Sequence, residues 1–322
     1  MLVNRIRDFV RRHPALRKTV RSVRGELPRG LGGIESSRRV RERRFELALP
    51  LREDDVVAGP EVLSFAVPGG LWAPRKLERE GLAGFEPETL ACFLAALDHA
   101  GSGAVLDIGA NVGVYGLLAA ARGTRPVHAF EPTPRVAAAA RELATANGLP
   151  VEVVECALGD RIGRASFTLS STSDASNSLA SGFRPSVGRI EVRVDTLSHW
   201  CERTGAVPAV VKIDTETTEP EVIAGGIKAL RAFRPWILCE VLPGRGVEKR
   251  LMRLLRPLDY GWYQLGDEVP SPARRVIDGR ISEADQRMWL FAPEPPSDAF
   301  WSDTRAWRRA LETCGPTSVL RA

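Results

Sequence analysis

From residue 85 onward, short apolar runs alternate with stretches in which apolar residues recur every three or four positions. Val105–Ile108, Val127–Phe130, Val151–Glu155, Val210–Ile213 and Trp236–Cys239 are short and rich in β-branched or aromatic residues, and they read as strands. Helical spacing fills the gaps between them. Leu90, Phe93, Leu94 and Leu97 share a face over residues 86–100, with Pro87 suited to a first turn, and similar patterns cover Arg135–Asn147 and Pro220–Phe233. Strand–helix alternation of this kind implies an α/β fold on a parallel, doubly wound, Rossmann-like sheet. Two later runs, Gly261–Leu265 and Arg287–Ala292, are close enough to pair with each other. Before the main domain, Phe45–Pro50 and Val62–Val67, the latter ending near Gly69-Gly70, suggest a small β cap. Residues 297–322, with Trp301 and Trp307, read as a terminal helix and a tail. The expected division is an arm (1–45), a β-rich cap (46–84), the main domain (85–296) and the C-terminal helix and tail (297–322).

Composition changes this picture mainly at the N-terminus. The chain has 322 residues, 44% of them hydrophobic, enough for one sizeable α/β core with additions. Its formal charge is +5, yet residues 1–45 carry about fourteen Lys or Arg against about four acids, leaving the remainder near −5. Within residues 1–24, Leu2, Ile6, Phe9, Val10, Leu16, Val20 and Val23 recur at near-helical spacing among basic residues, interrupted by Pro14. This basic helical arm is expected to pack on the main domain, to be a partly disordered tail, or to touch an anionic membrane surface. Nucleic acid is not expected, because aromatic residues are not interleaved with the basic ones. Cys92, Cys156, Cys201, Cys239 and Cys314 are widely spaced and read as reduced and buried. No apolar run approaches the length of about 20 residues that spans a bilayer. The expectation is a cytoplasmic protein, with peripheral contact at the inner membrane surface as an option.

The densest chemical signal is Val105-Leu-Asp-Ile-Gly-Ala-Asn-Val-Gly113, a strand running into a glycine-rich turn. Missing Cβ atoms and a following helix N-terminus let a ligand approach the backbone closely. Dinucleotides bring a pyrophosphate to such a turn, and Asp107 would repel it. Gly109, Asn111 and Gly113, with no Lys or Arg among them, better suit a cofactor without phosphate that carries an ammonium group and a cationic sulfur. S-adenosylmethionine fits, with its ammonium near Asp107. Glu131 closes the next strand about twenty residues later, where a carboxylate accepts hydrogen bonds from ribose hydroxyls. Asp160, after the third strand, is expected near the adenine.

Taken together, Leu106-Asp-Ile-Gly-Ala-Asn-Val-Gly113, Ala129-Phe-Glu-Pro132, Ala157-Leu-Gly-Asp160, Val194-Asp-Thr-Leu197 and Val211-Lys-Ile-Asp-Thr-Glu216 resemble the FkbM-type S-adenosylmethionine-dependent methyltransferases over about residues 85–293. The resemblance implies a seven-stranded class I methyltransferase sheet whose last two strands form an antiparallel end. It also implies O-methylation of a sugar, glycan or secondary-metabolite hydroxyl. One departure stands out: relatives continue x-Glu-Gly-x-Glu after Lys-Ile-Asp, whereas Thr217 stands here in place of the glycine. Where that glycine has positive φ, a β-branched residue is costly.

Ligands of such sheets bind at the carboxyl ends of the strands. Asp214, Glu216 and Glu219 follow the fourth strand and are the candidates for the base that removes the acceptor's proton, or for loop-ordering acids at a helix start. Lys212, in a buried strand, needs an acidic partner. Glu240 is another strand-tip acid that could line the acceptor pocket. The same acids could hold a hard divalent cation, but no Asp-Asn pair completes a site, and no metal is expected. His199 reads as a surface or capping residue, and the polar insert Ser170–Ser181 as either a lid or an undemanding loop. Two other classes remain open: a non-catalytic S-adenosylmethionine-binding module of the same fold, disabled at Thr217, and a nucleotide-dependent oxidoreductase.

Overall fold

The computed structural model describes residues 43–52, 59–67, 69–171, 173–180, 182, 185–242, 246–278 and 287–319. The basic arm through residue 42, including residues 1–24 and their proposed membrane contact, lies outside the described residues. In chain order the elements are β1 (Arg43–Ala48), β2 (Val62–Val67), α1 (Trp72–Glu80), α2 (Pro87–His99), β3 (Ala104–Ile108), α3 (Val114–Arg122), β4 (Val127–Phe130), α4 (Pro134–Ala146), β5 (Val151–Val154), β6 (Ala157–Leu158) and β7 (Gly163–Ser170). They continue with β8 (Ser186–Asp195), α5 (Leu197–Thr204), β9 (Pro208–Ile213), α6 (Glu219–Phe233), β10 (Trp236–Glu240), α7 (Val247–Leu255), β11 (Gly261–Gln264), β12 (Met288–Ala292), α8 (Asp298–Glu312) and β13 (Pro316–Val319).

Seven strands form the central sheet in the order β11-β12-β10-β9-β3-β4-β5. The five strands from β10 to β5 are parallel, and β12 runs antiparallel to both β10 and β11. This is the antiparallel end that the resemblance implies. Chain order reverses between β3 and β9, the kind of switch point where such sheets open a crevice.

Side-chain alternation divides the core between the two faces of the sheet. Val105, Val210, Leu238 and Leu290 pack with α2, α3 and α8, whereas Leu106, Ile108, Val211, Ile213, Ile237, Cys239 and Phe291 pack with α5, α6 and α7. The same alternation puts Asp107, Lys212 and Glu240 on the first face, on three adjacent strands, with Asp107 and Lys212 partners in register. Trp307 of α8 anchors that face, donating to Asp98 Oδ2 at 2.7 Å. The five cysteines are buried and free.

The cap differs from expectation at one point. β1 pairs with β2 and also with β13, so the segment after α8 is a strand of the cap instead of a tail. Apolar residues Phe45, Leu47, Leu63 and Phe65, all nearly fully buried, give the cap its core, and the pairing of β1 with β13 is a long-range one that no local pattern at 313–322 announces. A third small sheet, β6-β8-β7, carries the Ser-rich insert between β7 and β8.

Candidate active site

The turn after β3 is built by backbone conformation. Gly109 has φ 79°, and a Cβ there would fall on the carbonyl oxygen of Asp214, so glycine lets the tips of β3 and β9 touch. Asn111 adopts φ 52°, a conformation its short polar side chain tolerates. Its backbone N–H donates to Glu131 Oε2 at 3.1 Å, and its side-chain amide donates to Asp174 Oδ2 at 3.1 Å. Gly113, at φ 81°, caps α3.

Asp107 does not sit where the cofactor reading put it. It is 1% exposed and does not line the cleft beyond the turn. Its Oδ2 accepts from the Gly116 backbone at 3.1 Å, in the first turn of α3. Strand alternation points it beneath that helix, where burial, only partly offset by Lys212, pushes its carboxyl up to about 6. Direct contact with a cofactor ammonium is therefore corrected to support of the turn from below.

The cleft holds about 100 Å³ of space accessible to water and opens to solvent at its mouth. Ile108, Phe130, Leu158, Phe167 and Leu179 give it apolar walls, and Glu131 projects from the end of β4. Glu131 accepts from the Thr133 backbone at 2.8 Å as well as from Asn111. Burial raises its carboxyl to about 7 in spite of those donors. Asp160 is not part of this cleft. Gly159 N–H is bonded to the Asp195 carbonyl at 2.9 Å, which carries the chain past the opening. Asp160 is thus exposed in a separate groove with Arg161 and Arg250.

At the tip of β9, Lys212 Nζ lies 2.9 Å from Asp214 Oδ2 and 4.7 Å from the centre of the Tyr115 ring. Burial works against its charge, but Asp214, Glu86 and Asp107 outweigh it and raise the pKa. This is the structural pair the strand demands. Asp214 and Glu216 line the cleft. Glu219 does not: it is fully buried, and its Oε1 accepts from Thr215 N at 2.9 Å, Thr215 Oγ1 at 3.1 Å and Thr217 N at 3.2 Å. Burial pushes its carboxyl up to about 7. Of the two roles open to it, base or loop organiser, the geometry assigns the second. The loop it gathers contains consecutive positive φ angles, 56° at Glu216 and 84° at Thr217. Thr217 therefore occupies the strained position anticipated from its replacement of a glycine.

Glu240 closes β10 and is 9% exposed. It lines a second cavity with Lys76, Glu88, Asp267 and Arg287, and this cavity shares Trp72 and Glu86 with the first. Burial and the neighbouring Asp214, Glu216 and Glu219 hold its carboxyl well above the usual range. His199 lies apart, with Nδ1 2.7 Å from Asp195 and its N–H on the capping Thr196.

One participant, Glu86, escapes the sequence reading, and two, Asp174 and Ser178, were read only as part of the polar insert. Glu86, at φ 50° before α2, accepts from Tyr115 Oη at 2.8 Å, and both line the cleft. Asp174 accepts from Trp72 N at 2.8 Å while receiving the Asn111 amide, so the insert is fastened across the opening. Ser178 Oγ adds a bond to the Glu216 carbonyl at 2.6 Å. Glu86-Pro87 at a helix start was a visible signal for Glu86, but its position beside Tyr115 and Lys212 depends on how α2 packs on α3.

A mostly parallel seven-stranded sheet with one antiparallel strand, and a cleft at the switch point between a glycine turn and a strand-tip carboxylate pair, are the arrangement of the class I methyltransferase fold. Residues 107–261, just under half of the chain, match the family model described as the methyltransferase FkbM domain. Among solved structures, methyltransferase FkbM from Methylobacillus flagellatus KT is 16% identical, covering 59% of this chain and 43% of that one, at a TM-score of 0.40. A SAM-dependent methyltransferase from Agrobacterium tumefaciens is 12% identical over 72% of this chain and 68% of its own, at a TM-score of 0.38. A Pyrococcus abyssi tRNA (uracil-54, C5)-methyltransferase, solved with S-adenosyl-L-homocysteine, is 15% identical over 76% and 43%, at 0.36. The chain thus spans less than half the length of the Methylobacillus protein. No curated protein matches it.

Proposed function

We propose that the protein is an S-adenosylmethionine-dependent O-methyltransferase acting on a hydroxyl of a sugar, glycan or secondary metabolite. The observation that carries this reading is the adjacency of the two cavities. The cleft holding Glu131 at one end and Asp214 and Glu216 at the other shares Trp72 and Glu86 with the polar cavity beside Glu240.

The residues present fit the cofactor. Each Glu131 oxygen accepts one backbone N–H and retains a lone pair for a ribose hydroxyl. The apolar walls suit an adenine, and the acids Glu86 and Asp214 suit an ammonium; among the described residues Lys212, already paired to Asp214, is the one basic side chain lining the cleft. When bound, S-adenosylmethionine supplies a methyl group on a cationic sulfur. The chain's own contribution is to hold the acceptor oxygen in line and take its proton. Asp214 and Glu216, which line the cleft, are the carboxylates this reading assigns to that transfer, which positioning and general-base action accelerate together. The insert fastened by Asp174 and Ser178 contributes Asp174, Asn177 and Leu179 to the cleft wall, where it would limit water.

Among the described residues no helix is long and apolar enough to cross a membrane. The proposal includes a cytoplasmic location with residues 1–24 touching the inner membrane surface, which co-sedimentation with anionic and neutral vesicles would check.

The central test is a thermal-shift titration with S-adenosylmethionine, S-adenosylhomocysteine and NAD in parallel. Ligand at about a hundred times its dissociation constant adds roughly 2.7 kcal/mol, a rise of about 5–10 °C. A shift with the first two alone supports the reading and leads to acceptor screening with a labelled methyl group. A shift with NAD alone would overturn it.

A further inference from the structure

We infer that Asp214, Glu216 and Glu240 form a binding site for a hard divalent cation such as Mg²⁺ or Mn²⁺. One carboxylate oxygen from each residue lies within 4.8 Å of the others. Hard cations bind oxygen at about 2.0–2.6 Å, so two ligands of one ion stand at most roughly 5 Å apart, and the three atoms lie within that limit. The arrangement has a clear origin. β9 and β10 are adjacent and parallel, so Asp214, one residue beyond β9, and Glu240, closing β10, share the same end of the sheet. The left-handed turn at Glu216 folds the third acid back toward them.

A second observation points to a ligand there. Glu240 is 9% exposed, and its Oε2 is buried with no hydrogen-bond partner among the described residues. Arg287 Nη1 stands 3.7 Å from the other oxygen, Oε1, an ion pair beyond hydrogen-bond range. A dry carboxylate oxygen is costly, and an ion-paired Lys212 already committed to Asp214 at 2.9 Å does not supply the missing partner. Oxygen donors alone, clustered and partly buried, suit a hard cation over a thiophilic one. Sequence spacing suggested Asp214, Glu216 and Glu219 for such a role. In the fold Glu219 is turned into its own loop, and Glu240 from the neighbouring strand takes the third position.

Asp214 and Glu216 line the donor cleft and Glu240 lines the second cavity, so a cation held by them stands where the two meet. It is placed to orient the oxygens of a hydroxylated acceptor. That last point rests on the proposed methyl transfer to a hydroxyl, whereas the binding of the ion does not.

The test uses the full chain after chelator treatment and dialysis. Mn²⁺ is titrated and its free-ion electron paramagnetic resonance signal followed, with Mg²⁺ titrated calorimetrically alongside. One saturable site per chain is expected, weakened at least tenfold by Glu240→Gln and by Asp214→Asn and unchanged by Asp160→Asn. Glu240 does not line the donor cleft, so Glu240→Gln should retain the thermal shift with S-adenosylmethionine, which also shows that the variant is folded. Absence of saturable Mn²⁺ and Mg²⁺ binding in a protein that still binds S-adenosylmethionine would overturn the site and leave the methyltransferase reading standing. Binding that survives Glu240→Gln undiminished would overturn this assignment of ligands. Loss of S-adenosylmethionine binding with Mn²⁺ binding intact would count against the proposed function alone.

Discussion

Single residues in this site are governed by direction as much as by identity. Glu131, Gly109 and Asn111 were legible because the glycine turn and the strand-end acid are fixed by spacing, and all three line the cleft. Asp107, Asp160 and Glu219 have the right chemistry at the right strand ends, but each turns elsewhere. Thr217 gives the sharpest residue-scale prediction. A β-branched residue at φ 84° with a buried, unpartnered hydroxyl is strained, while glycine would add unfolded-state entropy. Relief of strain should win, and Thr217→Gly is expected to stabilise the chain by about 1 kcal/mol in urea denaturation; a destabilised variant would contradict the strain argument. Glu131 should make donor binding depend on pH. Its carboxyl titrates near about 7, and the ionised form accepts ribose hydroxyls best. Affinity for S-adenosylhomocysteine, measured calorimetrically, should therefore rise several-fold between pH 6 and pH 8, and Glu131→Gln should flatten that dependence.

At the scale of elements, the strands and helices of the sheet follow the hydrophobic pattern closely, with ends shifting by a residue or two. β9 begins earlier than its apolar run suggests, at Pro208, and β5 stops at Val154. The insert between β7 and β8 was ambiguous for a physical reason: Ser, Asn and Asp make either solvated loops or side-chain bonds to backbone, and composition does not choose. In the fold it is fastened. Asp174 joins the start of α1 to the glycine turn, and Ser178 holds the Thr215-Glu216 carbonyls. Asp174→Ala removes both bonds of that carboxylate. Faster amide exchange is expected across residues 173–180, together with roughly three- to tenfold weaker donor binding, on the scale of about 1 kcal/mol per net hydrogen bond. Exchange unchanged from the parent would mean that the insert is held by other contacts.

Across the whole molecule, the buried acids tie stability to pH. Glu219 moves from an ordinary 4.5 to about 7 on folding because burial penalises its charge. A raised carboxyl favours the folded state below the unfolded value and loses that advantage as pH climbs through the folded one. For a shift of this size the loss amounts to roughly 3 kcal/mol, and Asp107 and Glu131 act in the same direction. The denaturation midpoint should therefore fall between pH 5 and pH 8, and Glu219→Gln, which keeps an acceptor oxygen for Thr215 and Thr217, should fall less. The family match over residues 107–261 agrees with the resemblance read from the motifs, because both rest on local features: a glycine turn, strand-end acids and their order along the chain. The sequence by itself determined the α/β alternation, the cofactor turn and Glu131, since hydrophobic period, positive-φ glycine and strand-to-strand spacing are properties of neighbouring residues. Only the tertiary structure decided that the C-terminal segment completes the cap, that Glu86 and Asp174 join the cleft, and that Glu240 displaces Glu219 beside Asp214. Each depends on two distant segments packing together, and on which way a side chain turns once its neighbours have taken the space around it.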